Sequence, residues 1–581
     1  MFVGDSIQKF IMNSTSRLSF EKCSSLLDMK TMMKDPDTLF RSLMGTLIVI
    51  GLSAKAWPHL SRKHSRPKNR TRSEKTKPTE IVSLQRRFLP VFFLFRMSFW
   101  ISGPYFYQVY SSKILRHMDG TTSLASKEFV ANVSLVGYSA IVVLGPPAGK
   151  LIDRYGRKTA TLLTGAMYAI GSLSVFSNVP LILFSGRALV SIASSRLAST
   201  PAAWLIGEYA SIKEKREDKM NEPYQCWLSE TFGLAYGGDA LVAILAGQTA
   251  SLAASSSGNP TGPFAICPLF VGVALLLVIS YWAENKGGVQ SDNVKHADAG
   301  EKAKPTEDLK DNGLKVIFSD SKIVLVGLIQ SLFEGSMYIF VLAWPPVFSN
   351  SIRKTFGPSA VTPFGSIFSC FMACCLLGSI IFRQLRKMSV DVITIMAGIL
   401  FVSTTAFSWS VCAIQTENIF AIIIAFFAFE ACVGMYFPSI GIIRSQVLPE
   451  SHRPVIMTLF AMPLNLLVVG VIFFHSTLGE IGALTIASFA MGIATACTFF
   501  LRWKLQEQQH QSKREEKHYW RRVDSATQLS SVHFQPHNYR APLTRGTMSA
   551  RQLGHHTKTV HRSRRRRHSF DEDCLLDFSY H

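Results

Sequence analysis

Apolar residues in this chain come in long blocks that recur from one end to the other, a pattern that only a membrane can accommodate. The hydrocarbon core of a bilayer requires roughly twenty apolar residues per helix. Blocks of that size occupy residues 88–112, 128–149, 158–177, 180–207, 228–253 and 263–282. A polar stretch from Glu284 to Asp320, rich in Lys, Asp and Glu, follows, and beyond it lie 321–348, 361–383, 389–413, 418–443, 453–475 and 480–502. Backbone in lipid must satisfy its own hydrogen bonds, and blocks of this length with Gly and Pro inside them suit helices rather than barrel strands. The expected fold is therefore all-α and integral to the membrane. It divides into an extension (1–87), a six-helix bundle (88–282), a linker (283–320), a second six-helix bundle (321–502) and a basic, disordered tail (503–581).

A net charge of +22 would suit nucleic-acid binding in a soluble protein. Here the basic residues lie in the tails and between apolar blocks, where they face lipid headgroups, so membrane topology explains them and nucleic acid is not expected as a partner. Lys150, Arg154, Arg157 and Lys158, the Lys213 to Lys219 segment and the Arg383 to Lys387 segment mark one side as cytoplasmic, together with the linker and the Arg564 to Arg567 tail. The loops of the other side are poorer in charge, with Lys113, Arg116, Lys127, Arg353 and Lys354. An additional apolar block, 39–56, precedes a basic linker and is expected to be a thirteenth span, placing the N-terminus outside; an uncleaved signal-like anchor is the alternative. The sequon Asn13-Ser14-Thr15 would then be available for glycosylation. The ten Cys residues are scattered mostly through apolar blocks and read as small helix residues, with no zinc-binding spacing.

The strongest local motif is Gly149-Lys150-Leu151-Ile152-Asp153-Arg154-Tyr155-Gly156-Arg157-Lys158, in the short loop after the second block. Its glycines permit a tight turn, and Asp153 can bond an Arg or a helix N-terminus across the loop. Gly149, Asp153, Arg154, Gly156, Arg157 and Lys158 are thus the expected conformational latch. A degenerate copy, Gly378 to Lys387, follows the eighth block, which implies two halves built as repeats. This loop has the signature spacing of the major facilitator superfamily, and the resemblance implies that fold: two six-helix bundles related by pseudo-symmetry. Gly145 to Leu151 superficially resembles a phosphate loop, but lacks the glycine spacing and the Ser or Thr for magnesium. No dinucleotide fingerprint, metal-binding His pair or nucleophile elbow stands out, so neither an enzyme nor a cofactor is expected.

Charges inside the blocks carry more information, because each costs roughly 2.5 to 3.5 kcal/mol at a helix centre and should face a cavity or a partner. They are Arg96, Arg187, Arg196, Asp239, Glu334 and Glu430. Arg187 and Glu430 have an equally good reading as structural charges, paired with backbone or with one another. Trp100, Tyr105, Tyr107 and Tyr436 are read first as packing residues.

With these residues in hand, the chain resembles the eukaryotic molybdate-anion transporters over nearly all of 88–502. The resemblance rests on Gly103-Pro104-Tyr105-Phe106-Tyr107, Gly186-Arg187-Ala188-Leu189, Trp282-Ala283-Glu284-Asn285, Gln330-Ser331-Leu332-Phe333-Glu334, Glu430 to Ser439, Pro449-Glu450 and Pro463-Leu464-Asn465. It departs from the family at Phe99, Ser102, Gln108, Ala202 and near Ala461, where polar residues are expected, whereas Arg96 and Arg196 stand where the family looks apolar. The resemblance implies a secondary transporter of a small anion, with helices one, four, seven and ten around a cavity. Candidate cavity residues are Arg96, Tyr105, Tyr107, Arg187, Arg196, Glu334, Glu430 and Asn465. The Arg forks would replace the hydration shell of a tetrahedral dianion, and the carboxylates would balance them or carry a proton. The alternatives are a carrier of an organic anion or sugar-like solute, and a non-transporting sensor or scaffold. Besides substrate and lipid bilayer, a clathrin adaptor is an expected partner. Asp571 lies four positions before Leu575-Leu576, the spacing of a dileucine sorting signal, which would place the protein in an endosomal, lysosomal or vacuolar membrane; a chance Leu pair is an equally good reading and leaves the plasma membrane as the simpler assignment.

Overall fold

The computed structural model describes residues 35–61, 77–117, 119–214, 223–285, 316–449 and 453–532. The side chains of Gly145 to Arg154 also fall outside the description. The Asn13 sequon and the Asp571, Leu575, Leu576 signal lie outside the described residues.

The helices are α1 (Pro36–Ser61), α2 (Thr79–Ser102), α3 (Phe106–Ser111), α4 (Lys127–Tyr155), α5 (Arg157–Leu173), α6 (Pro180–Ser194), α7 (Ser199–Glu214), α8 (Pro223–Ser257) and α9 (Gly262–Tyr281). After the linker come α10 (Ser321–Phe356), α11 (Phe364–Lys387), α12 (Val392–Gln415), α13 (Ile419–Val447), α14 (Arg453–Phe473) and α15 (His475–Val532). A two-stranded antiparallel ribbon, β1 (Ile114–Arg116) with β2 (Thr122–Leu124), joins α3 to α4. By length and composition, nine helices among the described residues can cross a membrane. Four of the thirteen predicted spans are not among them: α1, α2, whose apolar run Arg86, Arg87 and Arg96 interrupt, α4, and the eleventh block, which holds a shorter apolar helix, Leu459–Phe473.

Several boundaries differ from the apolar blocks for identifiable reasons. α2 starts at Thr79, nine residues before the block at 88, since Glu80, Gln85, Arg86 and Arg87 are sound helix formers on its polar end. The first block breaks at Gly103-Pro104, and the fourth splits into α6 and α7 at Ser195–Ala198. Polar residues after Arg502, expected to be disordered, continue α15 as far as Val532, a stretch rich in Glu, Gln, Lys and Arg. A kink at Gly479 (φ 61°) sits near the start of that helix.

α1 runs alongside α11 in the same direction. Asp37 accepts a 2.7 Å hydrogen bond from Ser366, the Cys370 thiol donates to the Phe40 carbonyl at 3.2 Å, and Gly51 lies against Ile380. Phe40 also meets Phe348 edge-on at 5.6 Å. Within the second half, α11 and α13 cross at two glycines: a Cβ on Gly378 would overlap the Ala431 carbonyl oxygen, and one on Gly434 would overlap that of Cys375. Such small-residue crossings let helices approach closely in lipid, where packing replaces hydrophobic drive.

Among the described residues the halves meet away from the basic loops. α8 and α11 are in close contact there, with Ser369 donating to the Ile244 carbonyl at 2.8 Å and Gln248 to Ser369 at 3.0 Å. Trp100 reaches Phe368 at 5.7 Å and Tyr105 reaches Phe364 at 5.9 Å. On the other flank, Tyr138 of α4 meets Tyr338 of α10 at 5.7 Å, while Leu464, Val468 and Ile472 of α14 pack on Leu135 and Leu342. Lys127 and Glu480 bridge the halves at 3.4 Å at the outermost point.

The α11–α13 crossing leaves no room for a side chain, so Gly434→Val should destabilise the detergent-solubilised protein by about 1 to 3 kcal/mol, the usual cost of overpacking. A thermal-unfolding midpoint unchanged from wild type would show that the crossing can relax.

Candidate functional site

The first polar centre forms where α2 and α8 face each other. Arg96 donates from Nε to Asp239 Oδ1 at 2.8 Å and from Nη2 to Oδ2 at 2.7 Å, a two-pronged ion pair. Trp100, one turn along α2, adds its indole N–H to Oδ1 at 2.9 Å. The guanidinium also lies over the rings of Phe99 and Trp100, 5.0 and 4.7 Å from their centres. The side chains of Arg96 and Asp239 are 17% and 13% exposed, so the pair is largely, not completely, withdrawn from its surroundings. Such shielding strengthens charge-assisted hydrogen bonds. Because Trp100 also contacts Phe368 of α11, this centre adjoins the seam between the halves.

A second centre occupies the other half. Glu334 of α10 accepts from the Tyr436 hydroxyl of α13 at 3.1 Å, with Gln330 one turn away and Arg444 in electrostatic reach. The Tyr436 ring stacks on Phe333 at 3.8 Å, which fixes its hydroxyl direction. Glu430, two turns before Tyr436 on α13, is buried near Cys374 of α11, and Asn465 of α14 is half-buried.

Of the other candidates, Arg187 approaches the first centre through Tyr168, which lies in electrostatic reach of both Arg187 and Arg96. Arg187 of α6 lies over the Phe106 ring at 4.4 Å and against Gly137 of α4, where a Cβ would come within 2.7 Å of its Nε. It does not pair with Glu430, which belongs to the opposite half. Arg196 sits in the break between α6 and α7, its carbonyl accepting from Thr200. Tyr105 and Tyr107 lie at the outer end of the seam; Tyr105 lies beside Ser251 and the Gly365 backbone, and Tyr107 faces Glu480 and Arg353.

At the basic-loop end, the first half is tied together by the segment after α9. Glu284 accepts from the Lys158 and Thr159 backbone N–H groups at 2.8 and 3.0 Å and from the Thr159 hydroxyl at 2.7 Å, capping the N-terminus of α5. Gly156 permits this with φ at 98°, and its missing side chain leaves the space into which Glu284 presses. Lys158 donates to the carbonyls of Ile279 and Trp282, at 3.2 and 2.8 Å. Trp282 stacks on Trp204 at 3.8 Å and donates to the Arg87 carbonyl, while Asn285 donates to the Trp204 carbonyl and to Glu208. The sequence pointed to Asp153 as the carboxylate that bonds an Arg or a helix N-terminus across this loop. Its side chain, with those of Gly149 and Arg154, lies outside the description, and the carboxylate seen on the α5 terminus is that of Glu284. The signal that could have found it was Trp282-Ala283-Glu284-Asn285, quoted for family resemblance alone. Asp239 and Trp100 were likewise visible, one as an intramembrane charge and one as an aromatic, but neither carried a role.

Paired helical halves with charges buried among their helices suit a multi-pass membrane transporter of the major facilitator type. Residues 63–435, well over half of the chain, match the family model described as sugar transporters with 12 transmembrane segments, and the chain belongs to that family. Among curated proteins it is similar to the molybdate-anion transporter of Xenopus tropicalis, 28% identical over 75% of this chain and 88% of that one. The Danio rerio protein of the same name is 27% identical over 69% of this chain and 81% of its own length. Among solved structures, the POT family transporter PepTSo superimposes with a TM-score of 0.55 at 10% identity, covering 73% of this chain and 98% of that chain. The nucleoside transporter NupG does so with a TM-score of 0.50 at 13% identity, over the same shares. These two likenesses support the fold alone.

Burial works against the Glu284 charge, but the Thr159 hydroxyl and the backbone N–H groups of Lys158, Thr159 and Asn285 outweigh it and hold its carboxyl below the usual range. Its stabilising contribution is therefore present above the unfolded-state carboxylate range and is lost as pH falls through the lower folded-state value. Glu284→Ala should cost about 1 kcal/mol at neutral pH, as loss of a helix cap does, and the deficit relative to wild type should shrink on acidification. A pH-independent deficit in thermal unfolding would assign Glu284 a packing role only.

Proposed function

We propose that this protein is a secondary transporter moving a small oxyanion, molybdate first among them, by alternating access of the two halves. The observation that carries the reading is Arg96: a guanidinium oriented by two aromatic rings and holding two oxygens at once, beside the seam between the halves. Its fork matches the edge of a tetrahedral oxyanion as well as it matches a carboxylate. The similarity to proteins named molybdate-anion transporter supports the substrate class. Among the described residues the seam contacts lie opposite the basic loops, which suits a carrier closed on its outer face with the basic loops in the cytoplasm. α1, parallel to α11, then forms a thirteenth span with its start outside. Glu334 with Tyr436 and Glu430 in the second half, together with Tyr105, Tyr107, Arg187, Arg196 and Asn465, remain candidates to line the path. The latch residues around Asp153 and the Asp571-to-Leu576 signal for a clathrin adaptor remain proposals of the sequence. A carrier of a neutral, sugar-like solute is the second reading, favoured by the description of the family model and by the aromatic residues at the seam.

Arg96→Lys tests the fork without stranding Asp239, since the charge stays and the two-pronged geometry goes. Molybdate affinity of the purified protein should fall at least about tenfold, equivalent to ~1.4 kcal/mol, with sulfate competing in wild type. Unchanged affinity in the Lys variant would remove Arg96 from the site.

A further inference from the structure

Asp239 fills the position that a substrate anion needs. Both donating edges of the Arg96 fork used in the pair, Nε and Nη2, are taken by its two oxygens, and the Trp100 indole N–H is taken by one of them. An oxyanion can reach that fork only if the carboxylate gives way. Left as an anion beside an incoming dianion, Asp239 would oppose binding; as a neutral acid it would not. We infer that Asp239 is the coupling residue of the carrier, an internal counter-anion that accepts a proton when the substrate oxyanion displaces it from Arg96.

The inference rests on the anion-carrier reading. The balance is simple: one proton from the aqueous side joins an Asp239 oxygen, the oxyanion takes over the Nε–H and Nη2–H donors, and both leave together when the site opens to the other side. The empty carrier then returns with Arg96 and Asp239 neutralising each other. The groups around the carboxylate allow this exchange. Arg96 and Trp100 face it from α2, Tyr236 lies in electrostatic reach on α8 itself, and Tyr168 of α5 is in reach of Arg96. From α11 the nearest contact to this centre is the apolar Phe368, through Trp100. No second carboxylate is described beside the pair, whereas Glu334 already holds the Tyr436 hydroxyl with Arg444 in electrostatic reach, and Glu430 is buried near Cys374. Trp100 also connects the exchange to the seam, because its N–H reports on Asp239 while its ring touches the other half.

The test uses the full-length protein in proteoliposomes, with radiolabelled molybdate as probe and sulfate as competitor. Wild type should bind molybdate more tightly as pH falls and accumulate it down an inward proton gradient. Asp239→Asn, a mimic of the protonated acid, should bind about tenfold more tightly at neutral pH, with a flat pH profile and no gradient-driven accumulation. Asp239→Glu should restore a pH-dependent profile, which separates coupling from misfolding. Gradient-driven accumulation by Asp239→Asn with a wild-type pH slope would overturn the assignment. Proton uptake on binding separates this from the reading it rests on. Failure of wild type to bind either molybdate or sulfate at any pH would sink the oxyanion reading, whereas binding without proton uptake, or with an uptake that Asp239→Asn keeps, would sink the coupling assignment alone.

Discussion

A guanidinium inside a membrane must be partnered, because hydrocarbon offers it no hydration. Arg96 meets that constraint through Asp239, and the solution shapes the first half. It brings α2 and α8 together at a fixed register, since two parallel hydrogen bonds define direction as well as distance. It sets the Trp100 indole between the ion pair and Phe368, so the same side chain belongs to the polar centre and to the contact between halves. A pair of this kind contributes little net stability compared with apolar packing, while breaking it is costly. Its retention beside a seam is best understood through what can replace the carboxylate.

The opposite end of the first half follows a different logic. There the chain leaves the helices, and backbone groups at the start of α5 need partners. Glu284 supplies them from beyond α9, and the stacked Trp204 and Trp282 hold that segment in place. α2, α5, α7 and α9 are thereby joined near the basic loops. Movement of the halves as bodies requires such internal ties, because a soft half would deform before it rocked.

Much of the fold was legible in the sequence because the signal is thermodynamic: a segment must be apolar for about twenty residues to cross. The helices of the third to tenth blocks and of the twelfth follow that rule closely. What the rule misses is where a helix continues past the apolar run, as at Thr79 to Arg87 and from Trp503 to Val532, since propensity and side-chain pairing extend helices without hydropathy. The site was legible only in part. Intramembrane Arg96 and Asp239 could be identified singly, but they stand on different helices far apart in sequence, and no periodicity reveals their pairing. Glu284 was hidden for a related reason, since a cap supplied from another segment has no local signature.

The account makes Arg96 the anion site and Asp239 its resident counter-anion. The most direct measurement is a structure of the molybdate-loaded protein with the metal located by its anomalous scattering. The account predicts a molybdenum peak with oxygens on Arg96 Nε and Nη2 and the Asp239 carboxylate turned away. A peak elsewhere, with the Arg96–Asp239 pair intact, would contradict it.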